Sequence, residues 1–258
     1  MTDPRADLRT DRDGHVAVVE IRRGPNNFFD AALIQALAET FEALDADPDA
    51  RCILLCAEGK NFCAGADFGS GEGAGPDIEQ ARRLYRNAVR LFRAKTPVVA
   101  AVQGAAVGGG LGLALVADFR AATAQSRFTA NFNRLGIHPG FGLSTTLPRL
   151  VGPQKASLLF FTGRRIGGDE ALAIGLVDQL AAEDALRQDA LAFAQEIALS
   201  APLAVATTRA TLRNGLADAV EAAVERELAA QAQSFRSEDF IEGVKAMTER
   251  RAPMFTGR

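Results

Sequence analysis

The 258-residue sequence predicts an α/β fold, and three observations carry that prediction. Short apolar runs such as "CILLCA" (52–57) and "VVAAV" (98–102) have the length of buried strands. Longer stretches between such runs repeat apolar residues at helical spacing. From about residue 183 the strand-like runs stop and the pattern becomes nearly all helical. Alternation of this kind calls for a sheet with helices packed on its faces.

The elements follow in order. The opening "MTDPRADLRTDRDG" is polar and mixed in charge, unlike a signal peptide. "HVAVVEI" (15–21) is the first expected strand. "DAALIQALAETFEALDAD" (30–47) should form a helix, with Asp30 as N-cap and "DPD" as its stop. After "CILLCA", the segment "GSGEGAGP" (69–76) reads as a mobile loop, and "DIEQARRLYRNAVRLFRAK" (77–95) as a helix ended by "TP". "VVAAV" and "DFRAAT" (118–123) are the remaining expected strands. In the helical tail, Val220, Val224 and Leu228 recur every four residues. Another subunit or the chain's own core must bury that stripe.

Composition narrows the function. With 48% hydrophobic and 24% charged residues the chain suits a globular protein, not a disordered one. A net charge of −3 without a dense basic patch gives no reason to expect nucleic acid. Three cysteines and no export signal predict a reducing, cytoplasmic setting. Cys52 and Cys56 share a strand face about 13 Å apart, too far for a disulfide, and read as core residues. His15 and His138 are isolated, so no metal is expected.

"GAAVGGGLGLALVAD" (104–118) holds five glycines, and residues 98–117 carry no charge. A membrane helix with Gly104-x-x-x-Gly108 spacing is one reading, but glycine and alanine drive insertion weakly and no strongly basic flank follows. A nucleotide loop is a second, but no Lys-Ser/Thr follows and no frame fits G-x-G-x-x-G. The third is a strand–turn–helix in which glycines let backbone N–H groups face a ligand. "EGKNFCAGADF" (58–68) also follows a strand and places a small "AGA" where a second N–H could converge. Two such donors make an oxyanion hole.

"FCAGAD" (62–67) followed by "KTPVVAAVQGAAVGGGLGLALVADF" (95–119) resembles the crotonase (enoyl-CoA hydratase/isomerase) superfamily. The resemblance continues through "RFTANFNRLGIHPGFGLSTTLPRLVG" (127–152), "FTGRRIGGDEALAIGLVDQ" (161–179) and "SEDFIEGVKAMTERRAPMF" (237–255). It implies a spiral of ββα units over residues 1–195, and a C-terminal helical segment over 196–258 that builds homotrimers, commonly paired into hexamers. It also implies an acyl-CoA thioester substrate, whose coenzyme A is no separate cofactor. By position the carbonyl would sit between the N–H groups of Ala66 and Gly109, at the positive end of a helix.

The same resemblance assigns CoA contacts to "RRGPNNFF" (22–29), with Arg22, Asn26 and Phe28, and to Ala64, Gly65, Asp67 and Phe68. Arg23, Arg250 and Arg251 are further candidates for the phosphates, and Asp67 is expected to hold the loop's shape. Hydratases of the family use two glutamates. The matching positions here are Gly112 and Phe132, and neither can move a proton. Asn131 and Asn133 flank the second position and could orient water, although amides are no bases. His138 is the nearest titratable side chain in sequence. Tyr85 and Cys63 read as packing residues, and Glu72 as a carboxylate that could reach inward from its loop. The expected function is thioester-enolate chemistry of the hydratase/isomerase type. The alternatives are a catalytically silent acyl-CoA binder, or a decarboxylase or hydrolase on the same scaffold.

Overall fold

The computed structural model describes residues 7–66 and 78–258. Asp67, Phe68 and the whole of the expected 69–76 loop, Glu72 included, lie outside the described residues. Every strand expected from the sequence is present: β2 (Val16–Ile21), β3 (Cys52–Ala57), β4 (Val98–Val102) and β6 (Phe119–Thr123). Helix α1 runs over Ala31–Asp45, where Asp30 accepts the Leu33 N–H at 2.8 Å as its N-cap. Helix α2 covers Ile78–Arg93.

Five strands escaped the sequence reading: β1 (Leu8–Asp13), β5 (Ala105–Val107), β7 (Arg127–Thr129), β8 (Arg165–Gly167) and β9 (Gln179–Ala181). Four of them are three residues long, too short for a period-2 pattern to show. β1 is a polar edge strand held by its ladder to β2, so hydrophobicity carries no trace of it.

Two sheets arise from one repeating path. The larger has the order β1-β2-β3-β4-β6-β9, parallel apart from the β1–β2 pair. The smaller has the order β5-β7-β8. After each long strand the chain adds a short extended piece to a second layer. Phe29 bridges Ala66, Cys63 bridges Ala106, and β5 pairs with β7. A helix then returns the chain: α1, α2, α3 (Gly109–Ala114) and, after a 3-10 turn at Asn131–Leu135, α4 (Leu143–Thr162). This is a spiral of ββα turns, and it stacks the loops that follow successive strands side by side.

β3 is buried at all six positions, and its two faces serve different cores. Ile53, Leu55 and Ala57 join the main core with α1 and α2. Cys52, Leu54 and Cys56 face Leu186, Ala190 and Ala194 of helix α6 (Leu186–Ala198). Burial pushes both thiols up to about 12, and both cysteines are free. Alternation between faces is what the period of a strand dictates.

The tail adds α5 (Gly168–Ala173) before β9 and then, after α6, α7 (Pro202–Leu212), α8 (Leu216–Ser234) and α9 (Glu238–Thr248). α6 crosses the position of the expected 195/196 boundary. The Val220, Val224 and Leu228 stripe is buried within the chain itself, with α8 against α2 and α4. No single helix among the described residues is long and apolar enough to cross a membrane.

Arg120, 1% exposed, pins the start of β6. Its guanidinium donates to the carbonyls of Leu176 and Ala117 at 2.8 Å and to the Asp178 carboxylate at 3.0 Å. Arg120→Leu is expected to cost about 3 kcal/mol, because Asp178 and the carbonyls lose their donors. Urea denaturation of the two proteins checks this.

Candidate active site

The second layer decides what faces what. Gly65 and Gly108 hold positive φ (92° and 54°), which lets their loops turn with backbones against each other. A side-chain carbon on Gly65 would lie 2.9 Å from the Val107 carbonyl oxygen and 4.0 Å from the Gly109 nitrogen. The loop at 64–66 is braced from outside. The Asn27 side chain, fully buried, donates to the carbonyls of Glu58 and Asn61 at 2.7 Å and accepts from the Arg23 N–H at 2.9 Å. Asn26 takes the Ala64 N–H on its carbonyl at 2.9 Å and the Asn61 amide on its side chain at 2.9 Å.

Ala66 and Gly109 both line a cavity of about 840 Å³. Neither N–H has a backbone acceptor among the described residues. The Phe29 ring stands directly over Gly109, where a Cβ would lie 2.3 Å from its Cζ. Phe29 is 5.6 Å from Phe141, and Phe141 is 6.4 Å from Tyr85, centroid to centroid. Phe29, Tyr85, Phe132, Leu84 and Leu135 give the cavity an apolar lining, with Phe141 packed behind Phe29 and Tyr85.

Of the residues singled out in the sequence, Phe28, Ala64, Gly65, Ala66, Gly109 and Asn131 line this cavity, as does Phe132. Arg22, Asn26, Asn133 and His138 do not. Arg22 pairs with Glu58 at 3.1 Å and Asn26 is spent on the brace. His138 has its Nδ1 2.7 Å from the Pro139 carbonyl oxygen. Arg23 lines the cavity, paired with Asp7 at 2.7 Å and Asp30 at 3.1 Å. Arg251 is bound to Glu242 and Glu249.

Proton carriers are scarce. The one carboxylate among the described lining residues is Asp30, committed to capping α1 and to Arg23. Burial pushes the Cys63 thiol up to about 12, so it stays protonated as a packing residue. Burial also raises the Tyr85 phenol, which the Gln231 hydrogen bond only partly offsets. Gly112 has no room for a side chain, because a Cβ there would lie 2.8 Å from the Phe141 ring. Among the described residues no group of three or more His, Cys, Asp or Glu could hold a metal ion.

Sequence reasoning missed Phe141 and Gln231, and took Phe29 only as part of the 22–29 segment expected at the CoA. Gln231 had a legible signal: it lies three residues beyond Leu228, a polar residue on the buried stripe of α8. Phe141 had none, because only the folded loop carries it to Gly112.

Known proteins give the same frame. The enoyl-CoA hydratase/isomerase family model matches residues 11–258. The chain is 33% identical over 257 residues to the carnitinyl-CoA dehydratase of Salmonella typhi, covering 97% of this chain and 98% of that one. It is 34% identical over 249 residues to a probable enoyl-CoA hydratase of Bacillus subtilis (strain 168), covering 95% and 96%. Among solved structures, an enoyl-CoA hydratase/isomerase from Pseudoalteromonas atlantica T6c superposes with a TM-score of 0.86 at 32% identity, covering 97% of this chain and 100% of that one. With a match over nearly its whole length and the spiral α/β architecture to go with it, this chain belongs to the enoyl-CoA hydratase/isomerase family, as an acyl-CoA enzyme of the crotonase fold.

Proposed function

We propose that the cavity takes an acyl-CoA thioester whose carbonyl oxygen accepts from the N–H groups of Ala66 and Gly109, and that the enzyme stabilises the enolate formed from it. One observation carries this reading: two backbone donors from adjoining loops line one cavity, each without a backbone acceptor among the described residues. Fixed donors aimed at developing charge are worth about 3–4 kcal/mol each to a transition state.

Gly112 and Phe132 stand where the family resemblance sets the two hydratase glutamates, and water addition by that pair is not the proposed reaction. Enolate formation followed by reprotonation elsewhere needs a single base, and decarboxylation needs mainly the hole. The silent-binder reading rests on the same scarcity of carboxylates. Asn131 lines the cavity beside Gly108, 3.4 Å from where its Cβ would be, and is the side chain we assign to orienting a water or the thioester. Arg23 is assigned to the CoA phosphates in preference to Arg22. Homotrimer formation is proposed from the apolar side chains left open around the end of α6 and along α7, with Leu199 85% and Leu203 78% exposed.

Incubating saturated and unsaturated acyl-CoAs with the enzyme in deuterated water, followed by mass spectrometry, tests the proposal. Deuterium beside the thioester carbonyl is the expected result. Its absence across the panel, with CoA-ester binding shown separately and no product of changed mass, favours the silent binder instead.

A further inference from the structure

The cavity also carries polar groups that the proposed chemistry does not use. Tyr85 and Gln231 both line it, 9% and 1% exposed, amid Leu84, Leu135, Ile137 and Phe141. The Tyr85 hydroxyl donates to Gln231 Oε1 at 3.1 Å, and Gln231 Nε2 donates to the His138 carbonyl at 2.9 Å. The inventory of these groups leaves a remainder. A phenol oxygen has lone pairs beyond its one O–H, and an amide nitrogen has two hydrogens. Among the described residues nothing donates to the Tyr85 oxygen, and the second Gln231 hydrogen has no acceptor.

One unused acceptor and one unused donor therefore lie side by side. Tyr85 Oη and Gln231 Nε2 would be 2.0 and 2.7 Å from the same added carbon on Gly140. Two ring contacts connect them to the Gly109 side of the site: Phe29 stands over Gly109 and meets Phe141, and Phe141 meets Tyr85. A group that meets both must itself accept and donate. A hydroxyl does this with one oxygen, whereas a hydrocarbon chain leaves the spare lone pair and the spare hydrogen unmatched.

We infer that Tyr85 and Gln231 are specificity-determining residues that select acyl chains bearing a hydroxyl several carbons from the thioester. The inference rests on the reading that the cavity holds the acyl chain of a CoA thioester. Phe132 and Leu135 line the same cavity as the pair.

The test is calorimetric binding of saturated ω-hydroxyacyl-CoAs of four to ten carbons, each against its unsubstituted counterpart. At the length that reaches the pair, the hydroxyl should tighten binding about tenfold or more. Tyr85→Phe and Gln231→Leu should each bring that ratio to about one. If the two residues only brace α2 against α8, the variants weaken both ligands together and leave the ratio alone, which overturns the inference. A ratio of one or less at every length in the unaltered enzyme overturns it without any variant. Failure of every acyl-CoA to bind would instead sink the acyl-CoA reading itself, and this inference with it.

Discussion

Gly109→Pro in a Phe29→Leu background should turn over substrate about 10²–10³-fold more slowly than Gly109→Ala in the same background. The background matters because either substitution alone drives a Cβ to 2.3 Å from Phe29 Cζ. Leucine lacks the ring atoms that collide and keeps the site apolar. Alanine retains the N–H that the proposed hole needs, and proline deletes it. Proline is otherwise tolerated here, because Gly109 is the first residue of α3, where an N–H has no partner inside the helix. Gly108, at φ 54° and ψ −119°, mirrors the extended backbone that precedes proline, a conformation open to glycine. The pair of variants thus differs in one hydrogen-bond donor. Equal kcat in two folded variants, measured on any substrate that exchanges deuterium, would refute the role of Gly109.

Gly112→Glu should lower the thermal midpoint by about 10 °C, and adding Phe141→Gly should recover at least half of that loss. Overpacking at a buried site, together with burying a carboxylate, costs about 3 kcal/mol or more. For a chain of this size that converts at about 2–4 °C per kcal/mol. The relief has two sources. Removing the ring vacates the volume within 2.8–2.9 Å of the new Cβ. Phe141 also sits at φ 64°, a strained conformation for a phenylalanine that glycine adopts freely. Once accommodated, the carboxylate supplies a base one turn from Gly109, and deuterium exchange should rise above the parent level. Scanning calorimetry reads the first effect and mass spectrometry the second. An unchanged midpoint for Gly112→Glu alone would show that the Phe141 ring yields without cost.

Long elements were legible in the sequence because their burial is one-sided or complete over many residues. α1 declared itself by its stripe and by Asp30, and β3 by six apolar residues in a row. The three-residue strands were not legible, since their place is set by neighbouring loops. In the site, the two glycine-bearing loops could be read because tight turns demand small residues. The Phe29 and Phe141 rings that fill the space beside Gly109 and Gly112 could not, because a phenylalanine in sequence does not say what it will stand against. Arg22 and Arg23 were equivalent as adjacent residues. The chain's direction after β2 sends one to Glu58 and the other to the cavity.

The Tyr85–Gln231 bond joins residues 146 positions apart, and that separation bears on the order in which the molecule becomes competent. The sheet can assemble by adding one ββα turn to the last, with each new strand meeting a neighbour laid down shortly before. The Tyr85–Gln231 pair has no such local route. It must wait for α8 to return across the whole chain and dock on α2, a closure that comes late because its entropy is unrewarded until the core exists. During refolding, native strand pairing is expected to precede closure of the Tyr85–Gln231 part of the cavity, which pulsed hydrogen exchange would read as early protection in β3 and β4 and later protection in α8.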